Sequence, residues 1–314
     1  MNRRKSFNIH FFAGLGNQLF QFAYAHLIKQ RLECELTFTI DKKPRPDRTF
    51  ELYDLIQECN HLVESDYESV NADFFQYRVL SRVFRSNLLS SEMKSYISSL
   101  TGFEINPYGN SFLTKSSSFN RNVVGYFQHW QLIEQAWHLM GTELQNYLHK
   151  SIPSNRFAEK NEDYILLHIR RGDLVNLLDS MGALSVQYYS NALKLIPNFE
   201  SKRLTVVTDD VSGAADICDQ LAVSCVYGPS NLSPWETLNL MSNSKYFIMA
   251  NSTLSWWGGY LSIQNNPESI CVLPEPWFLN WHQSTGDALA YPKFLISKSD
   301  FISPVKFTTD FKYS

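Results

Sequence analysis

Residues 11–27, FFAGLGNQLFQFAYAHL, decide the first part of the fold, because two glycines separate an apolar run from a helical pattern. The run at residues 7–12 predicts a strand, and Gly14 and Gly16 predict a turn, since glycine takes positive φ at no steric cost. The helix is predicted by apolar side chains that share one stripe, namely Leu19, Phe22, Ala23, His26 and Leu27. The stretch therefore predicts a β-α unit.

The purpose of the glycine turn stays open between architecture and a ligand contact. Helix N-termini that follow such turns commonly bind phosphate. Two phosphate motifs do not fit, however. Leu19 stands where the dinucleotide fingerprint has its third glycine, and Asn17-Gln18-Leu19 replaces the Gly-Lys-Ser/Thr of the Walker pattern.

The second half of the chain alternates strands with helices, which is typical of a parallel sheet with helices on both faces. The predicted strands are residues 164–169, 203–207, 224–228, 245–250 and 269–274. The predicted helices are residues 186–195, 212–221, 233–242 and one from about Ser252. The third helix begins with a capping box, in which Ser233 is the N-cap and Glu236 stands three residues later. The predicted fold class is α/β with mainly parallel sheets.

The polar segment SIPSNRFAEKNED at residues 151–163 predicts a linker. We therefore expect two domains, residues 1–155 and 156–314, since a chain of 314 residues is long enough for two cores. Residues 66–122 are rich in Ser, Asn and Tyr and carry no phosphate or metal motif.

The charge and the cysteine content argue against several classes of protein. A formal net charge of −3 disfavours nucleic acid as the main partner. The five cysteines are odd in number and form no C-x-x-C, which argues against a disulfide framework or a zinc site and favours a reducing cytoplasm. Neither D-x-D nor H-E-x-x-H occurs, so we expect no metal to hold a diphosphate.

The N-terminus, MNRRKSFNIHFF, starts with basic residues but does not fit a signal peptide, because Asn8 and His10 interrupt its apolar part. No apolar run reaches the roughly 18 residues of a membrane helix. Arg3, Arg4 and Lys5 predict at most a weak peripheral contact with an anionic inner membrane. The expected location is therefore cytoplasmic.

Polar side chains follow three of the predicted strands, at the sheet edge where ligands of parallel sheets bind. His168, Arg170 and Arg171 follow the first of these strands in YILLHIRRGD (164–173). Two adjacent guanidinium groups suit a diphosphate, because each offers a fork of donors. The alternative is a surface charge pair or a salt bridge to Asp173.

The second cluster is Asp209 and Asp210 in RLTVVTDD (203–210). A carboxylate at this position can accept hydrogen bonds from a ribose or from the N–H groups of guanine. N-capping of the next helix is the alternative, and we expect one of the two aspartates to do only that.

The third cluster is Asn251, Ser252 and Thr253 in KYFIMANSTLSWWGGYL (245–261). These residues follow a buried strand and open a helix, so their hydroxyls and N–H groups converge where a phosphate could bind. Trp256 and Trp257 are expected in the core, and stacking on a sugar is the alternative.

Five motifs together resemble those of the bacterial alpha-1,2-fucosyltransferases, glycosyltransferase family 11. They are GLGNQLFQFAYA (14–25), GYFQ (125–128), HIRRGD (168–173), VTDD (207–210) and MANSTLSWWGGYL (249–261). The motifs stand in family order and are specific as a set, although each alone is not.

The resemblance implies inverting transfer of L-fucose from GDP-fucose to the 2-hydroxyl of a galactose-terminated glycan, such as an O-antigen repeat. It implies no metal. It also implies a GT-B-like fold of two facing Rossmann-type domains, with the acceptor side in residues 1–155 and the GDP-fucose site in residues 156–314.

By the same resemblance, Arg170 grips the β-phosphate, while His168 and Arg171 support the phosphate or the loop. Asp209 or Asp210 contacts guanosine. The other expected donor-binding residues of this domain are Asn251, Ser252 and Thr253.

Residues 14–18, including Gly16 and Gln18, are expected across the cleft, with Asn17 near the diphosphate or the fucose and the glycines permitting close approach. Asp173 and Asp179 are the candidates for a general base, and an ordered water is the alternative.

Two other functions stay open. One is a GDP-fucose-dependent transferase that forms an alpha-1,6 or O-linked bond. The other is a non-catalytic sugar-binding protein that uses Trp130, Trp256 and Trp281 as platforms.

Overall fold

The chain forms two compact units. The computed structural model describes residues 6–40, 49–59, 62, 89–90, 93, 96–97, 103–106, 120–151, 164–172, 174, 178, 181–229, 231–279 and 288–302. The first unit groups Met1–Arg156 with Ser233–Asn239 and Asp287–Tyr291. The second unit groups Phe157–Leu232, Leu240–Gly286 and Pro292–Ser314. The roles expected for residues 1–155 and 156–314, acceptor side and donor side, stay predictions.

The first unit contains a parallel sheet with the strand order β2-β1-β4-β3. Its strands are β1 (Ser6–Phe11), β2 (Glu35–Ile40), β3 (Phe103–Asn106) and β4 (Asn120–Gly125). Its helices are α1 (Leu15–Leu32), α2 (Tyr53–Glu58) and α3 (Trp130–Ser151). The predicted β-α unit is therefore present as β1 and α1.

Helix α1 is buried on more than the predicted stripe. Every residue from Leu15 to Ile28 except Asn17 is buried. The reason is that α1 contacts β1 and β2 and also packs along α3. A helix that is covered by a sheet and by a second helix carries apolar side chains nearly all round.

The turn before α1 differs from the prediction. Gly14 has an extended backbone with φ −81°, and a Cβ on it would meet no described atom within 4 Å. The residue in the left-handed region is Ala13, with φ 66°. This conformation costs a non-glycine residue about 1–2 kcal/mol, and the Gln18 amide stabilises it by donating to the Ala13 carbonyl over 2.8 Å.

The second unit contains a parallel sheet with the strand order β10-β9-β8-β5-β6-β7. Its strands are β5 (Tyr164–Ile169), β6 (Arg203–Thr208), β7 (Cys225–Tyr227), β8 (Tyr246–Ile248), β9 (Ile270–Glu275) and β10 (Leu295–Lys298). Between these strands the chain forms helices α4 (Val186–Leu193), α5 (Val211–Leu221), α6 (Pro234–Ser242) and α7 (Thr253–Asn265), of which most of α6 groups with the first unit. Numbered from β5, this is the Rossmann order 3-2-1-4-5-6. The predicted fold class, α/β with mainly parallel sheets, is confirmed.

The core of the second unit explains the tandem tryptophans. Trp256 and Trp257 in α7 are both 0% exposed, and their rings meet edge to face with centroids 5.5 Å apart. Trp256 also stacks on Tyr260. The expectation that both are core residues is confirmed, and a fully buried Trp256 cannot be a sugar platform.

The capping box predicted for α6 is present. The Ser233 N–H donates to the Glu236 carboxylate over 2.8 Å, and the Glu236 N–H donates to the Ser233 hydroxyl over 3.2 Å. Two N–H groups that the first turn leaves unpaired are thereby satisfied.

None of the helices in the described part of the chain is long and apolar enough to cross a membrane. Arg3, Arg4 and Lys5, on which the expected weak membrane contact depends, lie outside the described residues.

Candidate active site

The carboxyl ends of β5 and β8 lie side by side in the second unit. The two strands are paired in parallel, with Leu167 opposite Ile248. The chain leaves β5 toward β6 on one side, whereas β8 and β9 continue the sheet on the other side. This is the topological switch point of a doubly wound sheet, where the crevice for a ligand opens. The first and third polar clusters predicted from the sequence both lie here.

Arg170 joins the two strand ends. Its Nη1 donates to the Ser252 hydroxyl over 3.0 Å. Ser252 is 3% exposed and is the N-cap of α7, yet its side chain makes no cap hydrogen bond to the helix. The guanidinium group is thereby held at the N-terminus of α7. A helix N-terminus carries partial positive charge, so a cation beside it is repelled. An anion that binds to both the cation and the helix N-terminus removes this repulsion.

Arg171 turns away from Arg170. Its Nη1 donates to the Gly213 carbonyl over 3.1 Å, and its Nε lies 3.7 Å from Asp210 Oδ2. Side chains of successive residues in extended chain point to opposite sides, which separates the two guanidinium groups. The arginines therefore do not form the adjacent pair that the sequence suggested, and Arg171 supports the start of α5.

Asp209 holds the loop that follows β5. Its Oδ1 accepts from the N–H of Arg171 over 2.9 Å and from the N–H of Gly172 over 3.1 Å. A Cβ on Gly172 would stand 2.8 Å from Asp209 Oδ2, closer than Cβ contacts normally are. This explains the glycine in the RRGD sequence. The carboxylate is itself exposed, and its contact with guanosine stays a prediction.

Asp210 is the N-cap of α5. Its Oδ1 accepts from the Gly213 N–H over 3.0 Å. Of the two alternatives left open by the sequence, capping is the one that this geometry supports for Asp210. The Thr208 hydroxyl braces the same turn, because the Asp210 N–H donates to it over 3.0 Å.

His168 is buried near the carboxyl end of β5. Its Nδ1 lies 2.7 Å from the Ser255 hydroxyl. Burial lowers the pKa of His168 to about 4, and the charge of Arg170 adds to this lowering whereas Asp209 opposes it. The ring is therefore neutral at neutral pH, and the charge that faces an anion here comes from Arg170 rather than from His168.

Asn251 and Thr253 differ in placement. Asn251 is 2% exposed, and its Nδ2 donates to the Gly182 carbonyl over 3.0 Å. Its amide thus holds the chain before α4. Thr253 is half-buried in the first turn of α7, beside Ser252.

The three predicted residues of the first unit differ in their contacts. Asn17, at the start of α1, accepts from Gln128 Nε2 over 2.7 Å. Gln128 follows β4, which pairs with β1, so this contact lies at the switch point of the first sheet. Gln18 instead braces the loop before α2, because it donates to the Thr49 carbonyl and accepts from the Glu51 N–H, both over 2.9 Å. Gly16 is buried within α1.

Three predicted residues have no described structure. Asp173 and Asp179, the candidates for the general base, lie outside the described residues, as does Trp281. Among the residues that the structure describes, no three His, Cys, Asp or Glu side chains group as a metal site would require. The expectation that catalysis needs no metal stays a prediction.

Sequence reasoning did not single out three residues that shape the site. Tyr189 donates its hydroxyl to the His168 carbonyl over 3.1 Å, and Tyr188 donates to the Met249 carbonyl over 2.7 Å. Both tyrosines are almost fully buried in α4. Ser255, the partner of His168, stands three residues after Ser252. That spacing places both serines on one face of a helix, which is the signal that could have found it.

Residues 6–279 match the family model described as "Glycosyl transferase family 11". The chain belongs to glycosyltransferase family 11. Two relatives of this glycosyltransferase come from Escherichia coli. "Alpha-1,2-colitosyltransferase" is 26% identical over 283 residues, which are 84% of this chain and 90% of the relative. "O-antigen biosynthesis glycosyltransferase WbnK" is 26% identical over 298 residues, which are 86% of this chain and 94% of the relative.

Two solved structures are similar to this glycosyltransferase, each with a TM-score below 0.5. The E. coli heptosyltransferase WaaC with ADP gives a TM-score of 0.43 at 13% identity, covering 93% of each chain. The fucosyltransferase NodZ from Bradyrhizobium gives 0.42 at 12% identity, covering 83% of this chain and 94% of NodZ.

Proposed function

We propose that this family 11 glycosyltransferase transfers L-fucose from GDP-fucose to the 2-hydroxyl of a terminal galactose of a glycan, with inversion and without a metal. The observation that carries the proposal is the guanidinium group of Arg170, which the Ser252 hydroxyl holds at the N-terminus of α7.

A cation beside a helix N-terminus is the arrangement that a nucleoside diphosphate leaving group requires. Arg170 offers charge and fork geometry, and α7 offers N–H groups and the positive end of its dipole. By comparison with oxyanion donors, one such contact lowers the barrier by about 2.7–4 kcal/mol. In this proposal Arg170 binds the β-phosphate, and Ser252 and Thr253 line the phosphate site.

The chemical step is one displacement. The acceptor oxygen forms a bond to C1 of fucose from the face opposite the diphosphate, the bond from C1 to the diphosphate oxygen breaks, and its electron pair leaves with GDP. The hydroxyl proton passes to a general base or to water. We propose Asp173 or Asp179 as that base, which contributes roughly 10²–10⁴-fold.

The remaining predicted contacts belong to the same proposal. Asp209 contacts the nucleoside through the carboxylate oxygen that does not hold the Gly172 loop. In residues 1–155, the acceptor side, Asn17 approaches the diphosphate or the sugar. A cytoplasmic location is supported by the five cysteines, all of which are free thiols.

The linkage and the acceptor are supported by the relatives. One is named as an alpha-1,2-transferase and the other as an enzyme of O-antigen biosynthesis. Because the first relative is named for colitose, a nucleotide-activated colitose is the second candidate donor.

The donor and the metal requirement are tested together. The purified protein is incubated with GDP-fucose, GDP-colitose or GDP-mannose and a galactose-terminated disaccharide, with EDTA or with Mn²⁺, and products are identified by mass spectrometry. We expect a fucosylated product at equal rates in EDTA and Mn²⁺. Transfer of colitose but not of fucose would show that GDP-colitose, rather than GDP-fucose, is the donor. Loss of activity in EDTA would overturn the metal-free mechanism.

A further inference from the structure

The direction of the hydrogen bond between Ser255 and His168 can be inferred from the other contact of the Ser255 hydroxyl. The Ser255 hydroxyl oxygen lies 2.7 Å from His168 Nδ1 and accepts from the Ala250 N–H over 3.1 Å. Ser255 is 0% exposed and His168 is 6% exposed, so water does not compete at this contact.

A serine hydroxyl has one proton to donate and two lone pairs to accept with. The Ala250 N–H occupies one lone pair. Among the described residues, Nδ1 of His168 is the acceptor within reach of the hydroxyl proton. If Nδ1 donated to Ser255 instead, the buried proton of the Ser255 hydroxyl would have no acceptor. Folded proteins avoid such unpaired buried donors. Ser255 therefore donates to Nδ1.

The consequence appears at the other ring nitrogen. A neutral imidazole carries one proton, so a ring that accepts at Nδ1 carries its proton on Nε2. Nε2 makes no hydrogen bond to any of the described residues. It is also not among the polar side-chain atoms that are both unpaired and shielded from solvent, so Nε2 is accessible to solvent. The ring thus has an accessible N–H near the carboxyl end of β5, two residues before Arg170.

We propose that Ser255 is a positioning residue, which fixes His168 as the neutral Nε2–H tautomer so that the ring donates to an oxygen of the leaving diphosphate beside Arg170. The identity of that oxygen rests on the proposed function, whereas the tautomer does not. Burial keeps the pKa of His168 at about 4, so the ring donates as a neutral group at neutral pH. Tyr189 fixes the backbone of the same residue through its bond to the His168 carbonyl.

The structure offers a matched control in the same helix. Ser262 lies seven residues after Ser255 in α7 and is 1% exposed, and its hydroxyl donates to the Ser244 carbonyl over 2.7 Å. Ser262→Ala removes a buried serine hydrogen bond from α7, as Ser255→Ala does, but leaves His168 untouched. A loss of activity that both variants shared would therefore reflect stability.

The tautomer is measured first, on the free protein labelled with ¹⁵N-histidine, by long-range ¹H–¹⁵N spectra that separate protonated from unprotonated ring nitrogens. The His168→Gln variant assigns the signal. We expect the Nε2–H form in the wild type, with Nδ1 shifted as a hydrogen-bond acceptor. In Ser255→Ala we expect the Nδ1 signal to move and the second tautomer to appear, whereas Ser262→Ala matches the wild type. A protonated Nδ1 in the wild type, or an unchanged His168 signal in Ser255→Ala, would overturn the proposal.

Kinetics test the second half of the proposal. With the active donor, Ser255→Ala should lower kcat about fivefold to tenfold, the size expected for one hydrogen bond, with little change in KM. Ser262→Ala should leave both constants unchanged. Equal kcat in Ser255→Ala and Ser262→Ala would contradict the positioning role. Because the spectra need no donor, failure of fucosyl transfer and failure of the tautomer assignment are separate results.

Discussion

Arg170 Nη1 lies 3.0 Å from the Ser252 hydroxyl, and this bond joins the loop after β5 to the N-cap of α7. The two elements follow neighbouring strands, so the contact lies at the switch point of the second sheet. The guanidinium group is oriented before any anion binds. An oriented cation loses less conformational entropy on binding than a mobile one.

Replacing Arg170 should abolish donor binding without unfolding the protein. We expect Arg170→Ala to lower transfer by about 10²–10³-fold and to remove the rise in Tm that GDP produces, because the diphosphate loses its charged partner. Arg203→Ala is the control, since Arg203 is exposed at the opposite, amino end of β6. Near-normal transfer by Arg170→Ala, or an equal loss of transfer in Arg170→Ala and Arg203→Ala, would contradict the proposal that Arg170 binds the phosphate.

Asp209 should act through the loop that it holds. Asp209→Ala removes the acceptor of the Arg171 and Gly172 N–H groups, so we expect Tm to fall by a few degrees and transfer to weaken. Asp209→Asn keeps an oxygen acceptor, so its Tm and its rate of transfer should lie between those of the wild type and those of Asp209→Ala. The exposed Asp216 of α5 supplies the control, Asp216→Asn.

The same variants separate loop support from recognition of guanine. If Asp209 reads the base, Asp209→Asn should change the preference for GDP over ADP in thermal-shift titrations. If it only supports the loop, both nucleotides should weaken together.

Stability should fall on acidification. The pKa of His168 is lowered from 6.5 to about 4, first by burial and then by Arg170, so the unfolded chain binds a proton between these values that the folded chain does not. The free energy of unfolding therefore rises with pH from about 4 to about 6.5, and this contribution is constant above that range. At about pH 5 it amounts to about 2 kcal/mol of lost stability.

This pH dependence is measured by urea unfolding of the wild type and of His168→Asn. Burial also lowers the pKa of His10 and of His129, so both proteins should lose stability in acid. The slope between about pH 4 and about pH 6.5 should be shallower in His168→Asn. Parallel curves would show that His168 is not buried as a neutral ring.

Trp256 should matter for stability rather than for glycan binding. The side chain is 0% exposed and stacks on Tyr260, so Trp256→Phe leaves a cavity and should lower the free energy of unfolding by about 1–3 kcal/mol. Calorimetry gives the change in stability, and titration with a galactose-terminated disaccharide gives the affinity. A folded variant that lost affinity at unchanged stability would revive the sugar-binding alternative for this residue.

The sequence could predict what depends on periodicity and local chemistry. The alternation of strands and helices predicted the parallel sheets, and the spacing of Ser233 and Glu236 predicted the capping box. Both patterns are contained in short windows of the chain. The polar residues after β5 and β8 were predicted to share a sheet edge because the carboxyl ends of parallel strands lie together.

What could not be predicted depends on which side chain meets which. The partners of Arg170 and Arg171 depend on the positions of α7 and α5, which two adjacent residues of a sequence do not specify. The spacing of Ser252 and Ser255 places both on one face of α7, but it does not specify that the Ser255 hydroxyl contacts His168. The left-handed residue of the first turn is Ala13 rather than a glycine, because Gln18 holds its carbonyl from within α1.

The linkage of the product tests the central claim most directly. The protein is incubated with GDP-fucose and a galactose-terminated disaccharide, and the purified product is analysed by NMR for the carbon that carries fucose and for the configuration at its C1. Fucose on the 2-position of galactose in the alpha configuration is the predicted result. An alpha-1,6 linkage, or fucose on a hydroxyl outside the terminal galactose, would contradict the claim even if transfer were efficient.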